Sequence, residues 1–130
     1  MIPLCQAEGV GVIPWSPLAR GLLSGSRKSK EDRSSTTRAG SDAYAEHLYD
    51  QPGDWDVVEA VGRVAAARGT PPAEVALAWL LSKPAVTAPI VGATKMEHLD
   101  SAVRSLGVTL SAAEVKALEA PYQPHAVRGF

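Results

Sequence analysis

The chain of 130 residues lacks most features that would commit it to a special class. Its single cysteine, Cys5, excludes an internal disulfide. With no second thiol and no neighbouring base, that residue reads as a small buried hydrophobe rather than a nucleophile. Such cysteine usage fits a reducing, cytoplasmic setting. No apolar run approaches the ~20 residues that span a bilayer, and Met1-Ile2-Pro3-Leu4 has neither the basic start nor the apolar core of a signal peptide. Neither membrane insertion nor secretion is therefore expected. An excess of one charge is also missing: 13 Lys and Arg stand against 14 Asp and Glu, a net charge of −1. That balance argues against a protein built to neutralise nucleic-acid phosphates. The three histidines, His47, His98 and His125, do not stand at metal-ligand spacing from one another or from Cys5, so no metal site is expected. The nucleophile-elbow and P-loop patterns are absent, and Gly9-Val10-Gly11 precedes a strand instead of following it, the wrong order for a dinucleotide-binding turn.

What is present is a globular composition, 45% hydrophobic and 21% charged, sized for a single soluble domain. Residues 1–9 read as the end of a helix that has no N-terminal cap of its own. Residues 10–15 form an apolar, β-branched run bounded by glycine and proline, as expected of a parallel strand buried on both faces. Residues 16–54 show no sustained period and read as a long loop, with at most a short helix around Ala43 to Leu48; a loop of that length needs a functional reason. Trp55, Val57, Val61 and Val64 then follow helical spacing up to Gly69, and Thr70-Pro71 opens a second, heavily apolar helix carrying Val75, Ala76, Trp79 and Leu80. The two form a helix pair over 55–82. Residues 86–91 form a second strand, with Pro89 predicting an irregular or bulged entrance. Thr94 with Glu97 and Ser111 with Glu114 are capping boxes for helices over 95–106 and 111–119, and 122–130 is a tail. The order is that of an α/β protein with parallel strands. Two strands do not make a self-sufficient sheet, so strand edges and a helix face are expected to be exposed.

Two weak signals point to one place. Gly92 permits close backbone approach, and the helix after it carries Lys95 and His98 in its first turns, where unpaired N–H groups favour an anion. The same features also describe an ordinary capped surface helix with Lys95 in water. The loop after the first strand carries Arg20, Arg27, Lys28, Lys30, Arg33 and Arg38 against only Glu31 and Asp32. It too reads equally as a solvated loop. Both elements leave the C-terminal ends of parallel strands, where α/β folds bind ligands. Trp15 and Trp79 read as packing residues, although Trp15 ends its strand and is placed to face a ligand.

Gly11-Val12-Ile13-Pro14-Trp15-Ser16-Pro17-Leu18-Ala19-Arg20-Gly21, Pro89-Ile90-Val91-Gly92-Ala93-Thr94-Lys95 and the ending Ala120-Pro121-Tyr122-Gln123-Pro124-His125 carry a resemblance. The chain resembles the C-terminal part of an aldo-keto reductase, in the bacterial branch related to the potassium channel β subunits. The resemblance implies strands seven and eight of a (β/α)8 TIM barrel, incomplete on its own since such barrels run to ~250 residues. It implies an NADP(H)-dependent oxidoreductase that reduces aldehydes and ketones. By it, Trp15 lies beside the nicotinamide, Ser16, Pro17, Leu18 and Ala19 line the pyrophosphate, and Arg20 and Arg38 lie near the phosphates. Gly92, Thr94 and His98 match positions that hold the 2′-phosphate and adenine end, and Lys95 adds charge there. The family's catalytic Asp, Tyr, Lys and His fall on the first four strands or their loops, outside this chain, so no catalytic residue is expected here and the chain alone should be inactive. Ser101 and Ala102 replace the Glu-Asn pair that usually meets the adenine, and Ser26 stands where the channel subunits carry a basic residue. The implied partner is a small carbonyl substrate of the intact enzyme. Self-association, or a nucleotide-binding or regulatory fragment pairing with another barrel piece, is the alternative; a basic-loop nucleic-acid binder is a distant third.

Overall fold

The computed structural model describes residues 1–27, 48–49, 51, 53–124 and 126. Among the described residues the α-helices are α1 (Ile2–Ala7), α2 (Asp54–Arg68), α3 (Pro72–Leu81), α4 (Met96–Arg104) and α5 (Ala112–Glu119). A kinked 3-10 segment, Ala19–Ser24, follows the first extended stretch, and a 3-10 turn, Ser105–Gly107, ends α4. The helix read around Ala43 to Leu48 lies, except for Leu48, outside the described residues.

The core is helical. Asp54 and Asp56 in the first turn of α2 and Arg68 in its last complement the helix dipole, and Gly69 closes it in the left-handed region at φ 63°. Apolar residues at helical spacing make Ala60, Val61, Val64 and Ala65 its buried face. Against this face lies α3, so enclosed that Glu74, Val75, Ala76, Leu77 and Ala78 are buried in succession. Leu118 of α5 closes the cluster, with Leu18, Leu23, Trp79 and Leu110 packed around it. Pro71, not Thr70, is the N-cap of α3, and no side chain caps it. Proline fixes φ and has no N–H to satisfy, so the turn forms without a hydroxyl.

The strands are shorter than the sequence suggests. Residues 10–15 and 86–91 run parallel, as expected, but meet only at the bridges Val12↔Val86 and Trp15↔Ile90. Among the described residues there is no sheet. Three backbone hydrogen bonds join the segments: Val12 N–H to Ala85 O (3.3 Å), Thr87 N–H to Val12 O (2.8 Å) and Ile90 N–H to Pro14 O (2.9 Å). From Val86 to Ile90 is one residue more than from Val12 to Trp15, so the second segment bulges in the stretch containing Pro89, which cannot donate to a ladder. Close contact is still required at Gly11, where a Cβ would stand 2.4 Å from Thr87 Oγ1.

The segment after Trp15 is not structureless as read: Leu22 is buried, and the 3-10 segment packs on α2 and α3. The exposed helix face appears on α4 and the 3-10 turn that ends it, whose stripe Met96, Leu99, Val103 and Leu106 points to solvent, Leu106 being 71% exposed. Its other side, with Ser105 buried, meets α3.

Candidate functional site

The bridge between Trp15 and Ile90 fixes the geometry of the site. It makes the chain leave both extended segments at the same end, so the turn beginning at Ser16 and the turn through Gly92 start side by side. Backbone pairing thus brings together the points from which the two groups singled out in the sequence set out. Trp15, the bridge residue just before the first turn, is 61% exposed, so it is open to solvent rather than a packing residue.

The Ser16–Gly21 turn is strained. Ser16 (φ 52°), Ala19 (φ 48°) and Arg20 (φ 55°) are non-glycine residues in the left-handed region, and Gly21 follows at φ 97°. Each non-glycine residue held there costs roughly 1–2 kcal/mol, and such strain concentrates at ligand sites. The turn is held by Ala19 N–H to Ser16 O (2.9 Å), Gly21 N–H to Leu18 O (2.9 Å) and Arg20 N–H to Ser16 Oγ (3.2 Å). Ser24 Oγ donates to Gly21 O at 2.6 Å and shares a hydrogen bond with Ser26 Oγ at 2.8 Å. Pro17 and Leu18 form the middle of the turn, and Leu18 also packs on the core. Arg27 lies over the Trp55 ring, 5.9 Å from its centroid. Arg38, like Lys28, Lys30 and Arg33, lies outside the described residues.

On the second turn, Gly92, Thr94, Lys95 and His98 are all exposed. The Thr94–Glu97 capping box does not form; Lys95 is the N-cap of α4 and no side chain caps the helix. Glu97 instead faces Lys95, whose Nζ lies 3.3 Å from its Oε1, with His98 Nε2 at 3.9 Å. A nearby cation competes successfully for the carboxylate that a capping box needs. Ser101, at an expected adenine position, turns away from this end: its Oγ donates to the buried Glu74 Oε1 at 3.0 Å, beside Arg104 Nε at 2.9 Å. Ala102 contributes its carbonyl to Ser105 Oγ at 2.6 Å.

The remaining polar structure lies away from this end. Ser111 and Glu114 make the expected capping box, and Arg68 Nη1 donates to Glu114 Oε1 at 2.7 Å. The Arg68 hydrogen bond, then those from the Ser111 backbone and hydroxyl, hold the Glu114 carboxyl down to about 2. Glu119 accepts from Lys83 Nζ and, at 2.9 Å, from Trp79 Nε1, and these bonds, Lys83 first, lower its pKa. Lys83 and Glu119 border an open groove of about 610 Å³ that Pro84, Leu110 and Val115 also line, where the chain approaches the second segment. Cys5 is a free, half-buried thiol. Among the described residues no three His, Cys, Asp or Glu side chains are grouped to hold a metal ion, and no helix is long and apolar enough to cross a membrane.

Sequence reasoning missed the left-handed run at Ser16, Ala19 and Arg20 and the Glu74 cluster. The first has no residue-type signal, since only Gly21 belongs there by preference. The second is hinted at by one acidic residue inside the apolar run Pro72–Leu81.

Two extended segments paired in parallel, each followed at the same end by a turn, one of them strained and the other leading into a helix, have the strand–turn–helix order of α/β folds. Sequence comparison names the family: the chain belongs to the Aldo/keto reductase family, whose profile matches residues 1–123. It is 40% identical over 129 residues to a Schizosaccharomyces pombe protein assigned as an aryl-alcohol dehydrogenase, covering 99% of this chain and 38% of that protein. It is 39% identical over 130 residues to versiconal hemiacetal acetate reductase of Aspergillus parasiticus, covering 98% and 36%. Among solved structures it matches a thermostable aldo-keto reductase crystallised with the inhibitor epalrestat, at TM-score 0.62 and 26% identity, over 93% of this chain and 33% of that one. The chain therefore spans little more than a third of the length of the curated relatives it matches.

Proposed function

We propose that these residues are the cofactor-binding, C-terminal portion of an NADP(H)-dependent aldo-keto reductase that reduces aldehydes or ketones to alcohols in the cytoplasm. On this reading 10–15 and 86–91 correspond to barrel strands seven and eight. The observation that carries it is the Trp15↔Ile90 bridge, from whose two residues the strained Ser16–Gly21 turn and the stretch leading through Gly92 to α4 both set out. A placement in the bacterial branch related to the channel β subunits rests on the Pro14–Gly21 and Pro89–Lys95 motifs.

The residues present fit such a group. The exposed Trp15 ring offers a flat apolar face, a Cβ at Gly92 would meet nothing within 4 Å, and α4 begins with Lys95 and His98 beside its N-terminal N–H groups. When bound, the dinucleotide supplies hydride to a carbonyl carbon. Trp15 shields one side of the nicotinamide from water. Ser16, Pro17, Leu18 and Ala19 line the pyrophosphate, and the left-handed conformations hold that turn in shape before binding. Arg20 and Arg38 add positive charge near the phosphates, while Gly92, Thr94, Lys95 and His98 receive the 2′-phosphate and adenine end. Glu97 works against an anion here, so Lys95 must first offset it. No group of this end serves as the proton donor to the carbonyl oxygen; that role falls to residues of other barrel strands.

Titration of the chain with NADPH, followed by nicotinamide fluorescence, together with a carbonyl-reduction assay, tests this reading. Saturable binding weakened in Lys95→Ala, with no turnover, is the expected result. Absence of binding, or turnover by the chain alone, refutes it. A second reading, a nucleotide-binding or regulatory fragment that pairs with another barrel piece, is favoured by one observation: Val12 and Pro14 bond the second segment, leaving the edge at Gly11 and Ile13 without a backbone partner among the described residues. A stable stoichiometric complex on size exclusion would support it.

A further inference from the structure

Helix α4 is attached to the molecule the wrong way round for an amphipathic helix. Its apolar residues Met96, Leu99 and Val103 are exposed and contribute little to its attachment. The side turned inward carries the half-buried Ser101 and Ala102, and bonded to Ser101 is Glu74 of α3, an ionisable residue only 4% exposed. Burying a carboxylate is costly unless it is paired and hydrogen-bonded. Here one oxygen, Glu74 Oε1, accepts from both Ser101 Oγ at 3.0 Å and Arg104 Nε at 2.9 Å. Positions 101 and 104 lie about one turn apart on the same face of α4, so the two bonds fix both the rotation and the height of that helix on α3.

We propose that Glu74 is a positioning residue for the nucleotide end. It sets the N-terminal turn of α4, and with it Thr94, Lys95 and His98, through Ser101 and Arg104 without touching the ligand. The assignment rests on the cofactor-binding reading above for what the positioned turn does, but the attachment itself does not. It also gives Ser101 a role: its hydroxyl holds the helix from behind.

The test is hydrogen–deuterium exchange of the whole chain, wild type against Glu74→Ala, Glu74→Gln and Arg104→Ala, with NADPH titrations of the same proteins. The Arg104 side chain is 58% exposed, so its removal leaves the core intact if Glu74→Ala fails to fold. Losing a hydrogen bond to a charged group should speed exchange of the Met96–Arg104 amides by about tenfold or more, with Asp54–Arg68 unchanged. Gln retains a carbonyl that accepts both donors and should stay close to wild type. NADPH affinity should fall in the same order as α4 protection. Unchanged α4 exchange in both Ala variants refutes the attachment. A loosened α4 with unchanged NADPH affinity refutes the positioning role. A wild-type chain that binds no NADPH overturns the cofactor reading and the positioning role with it, and exchange then judges the attachment alone.

Discussion

Gly25 is the point at which the site turn is pressed against the helical core, and Gly25→Ala separates the two reasons a side chain is excluded there. Gly25 ends the Ala19–Ser24 segment at φ 77°, and a Cβ would stand 2.7 Å from Pro72 Cγ, 3.2 Å from its Cβ and 3.4 Å from its Cδ. The left-handed backbone costs a non-glycine residue roughly 1–2 kcal/mol. Overpacking against a ring that cannot change rotamer costs roughly a further 1–3 kcal/mol. The expected loss is therefore about 2–5 kcal/mol, a large part of the ~5–15 kcal/mol that holds a typical domain together. Urea unfolding followed by far-UV circular dichroism should show the midpoint falling by roughly 1 M or more at unchanged slope. Pro72→Ala removes Cγ and Cδ, so in the double variant the overpacking portion should return and the backbone portion should not. A cost below ~1 kcal/mol for the single variant, or no coupling between the two positions, would show that the turn does not bear on α3 as described.

Leu118→Ala, which opens the cluster of α2, α3 and α5, should destabilise by about 2–5 kcal/mol in the same assay; a loss near zero would mean that α5 is not part of the core. Ser111→Ala removes the hydroxyl half of the capping box and should cost about 1 kcal/mol, measured likewise. The Glu114 carboxyl is depressed in the folded chain from 4.5 to about 2, so its contribution is complete above the unfolded value and is lost as pH falls from 4.5 towards 2. Midpoints measured across that window should fall in the wild type and fall less steeply in Glu114→Gln; equal slopes would remove the Arg68–Glu114 pair from the account of acid sensitivity.

The helices were largely legible in the sequence, because α2 and α3 bury faces whose spacing is written in Val57, Val61 and Val64 and in the run Pro72–Leu81, and Gly69 and Ser111 mark their own ends. The same capping pattern succeeds at Ser111 and fails at Thr94. In the first case Arg68 fixes the carboxylate near the cap; in the second the carboxylate lies against Lys95 instead. The strands were legible in position and direction but not in extent, since a continuous ladder needs neighbours on both edges and Pro89 withholds a donor. At the site, residue types identified the two turns and the chain order their shared end. The left-handed run at Ser16, Ala19 and Arg20 was not legible, because those residue types favour other conformations and are held there by the surrounding structure. Nor was the docking of α4, whose pattern of Met96, Leu99 and Val103 points to the face that the structure leaves open.

The joining of residue 12 to residue 86 and of residue 15 to residue 90 also sets an order of events in time. Those bridges must close a loop containing most of the chain, with three backbone hydrogen bonds to offset the entropy of closure, whereas α2 and α3 are neighbours in sequence. The helical cluster can therefore collapse while the two extended segments are still apart, and it can persist after they separate. The pairing of the two extended segments, unlike the turn anchored on the core by Leu18 and Leu23, is thus expected to form after the helical cluster and to open before it.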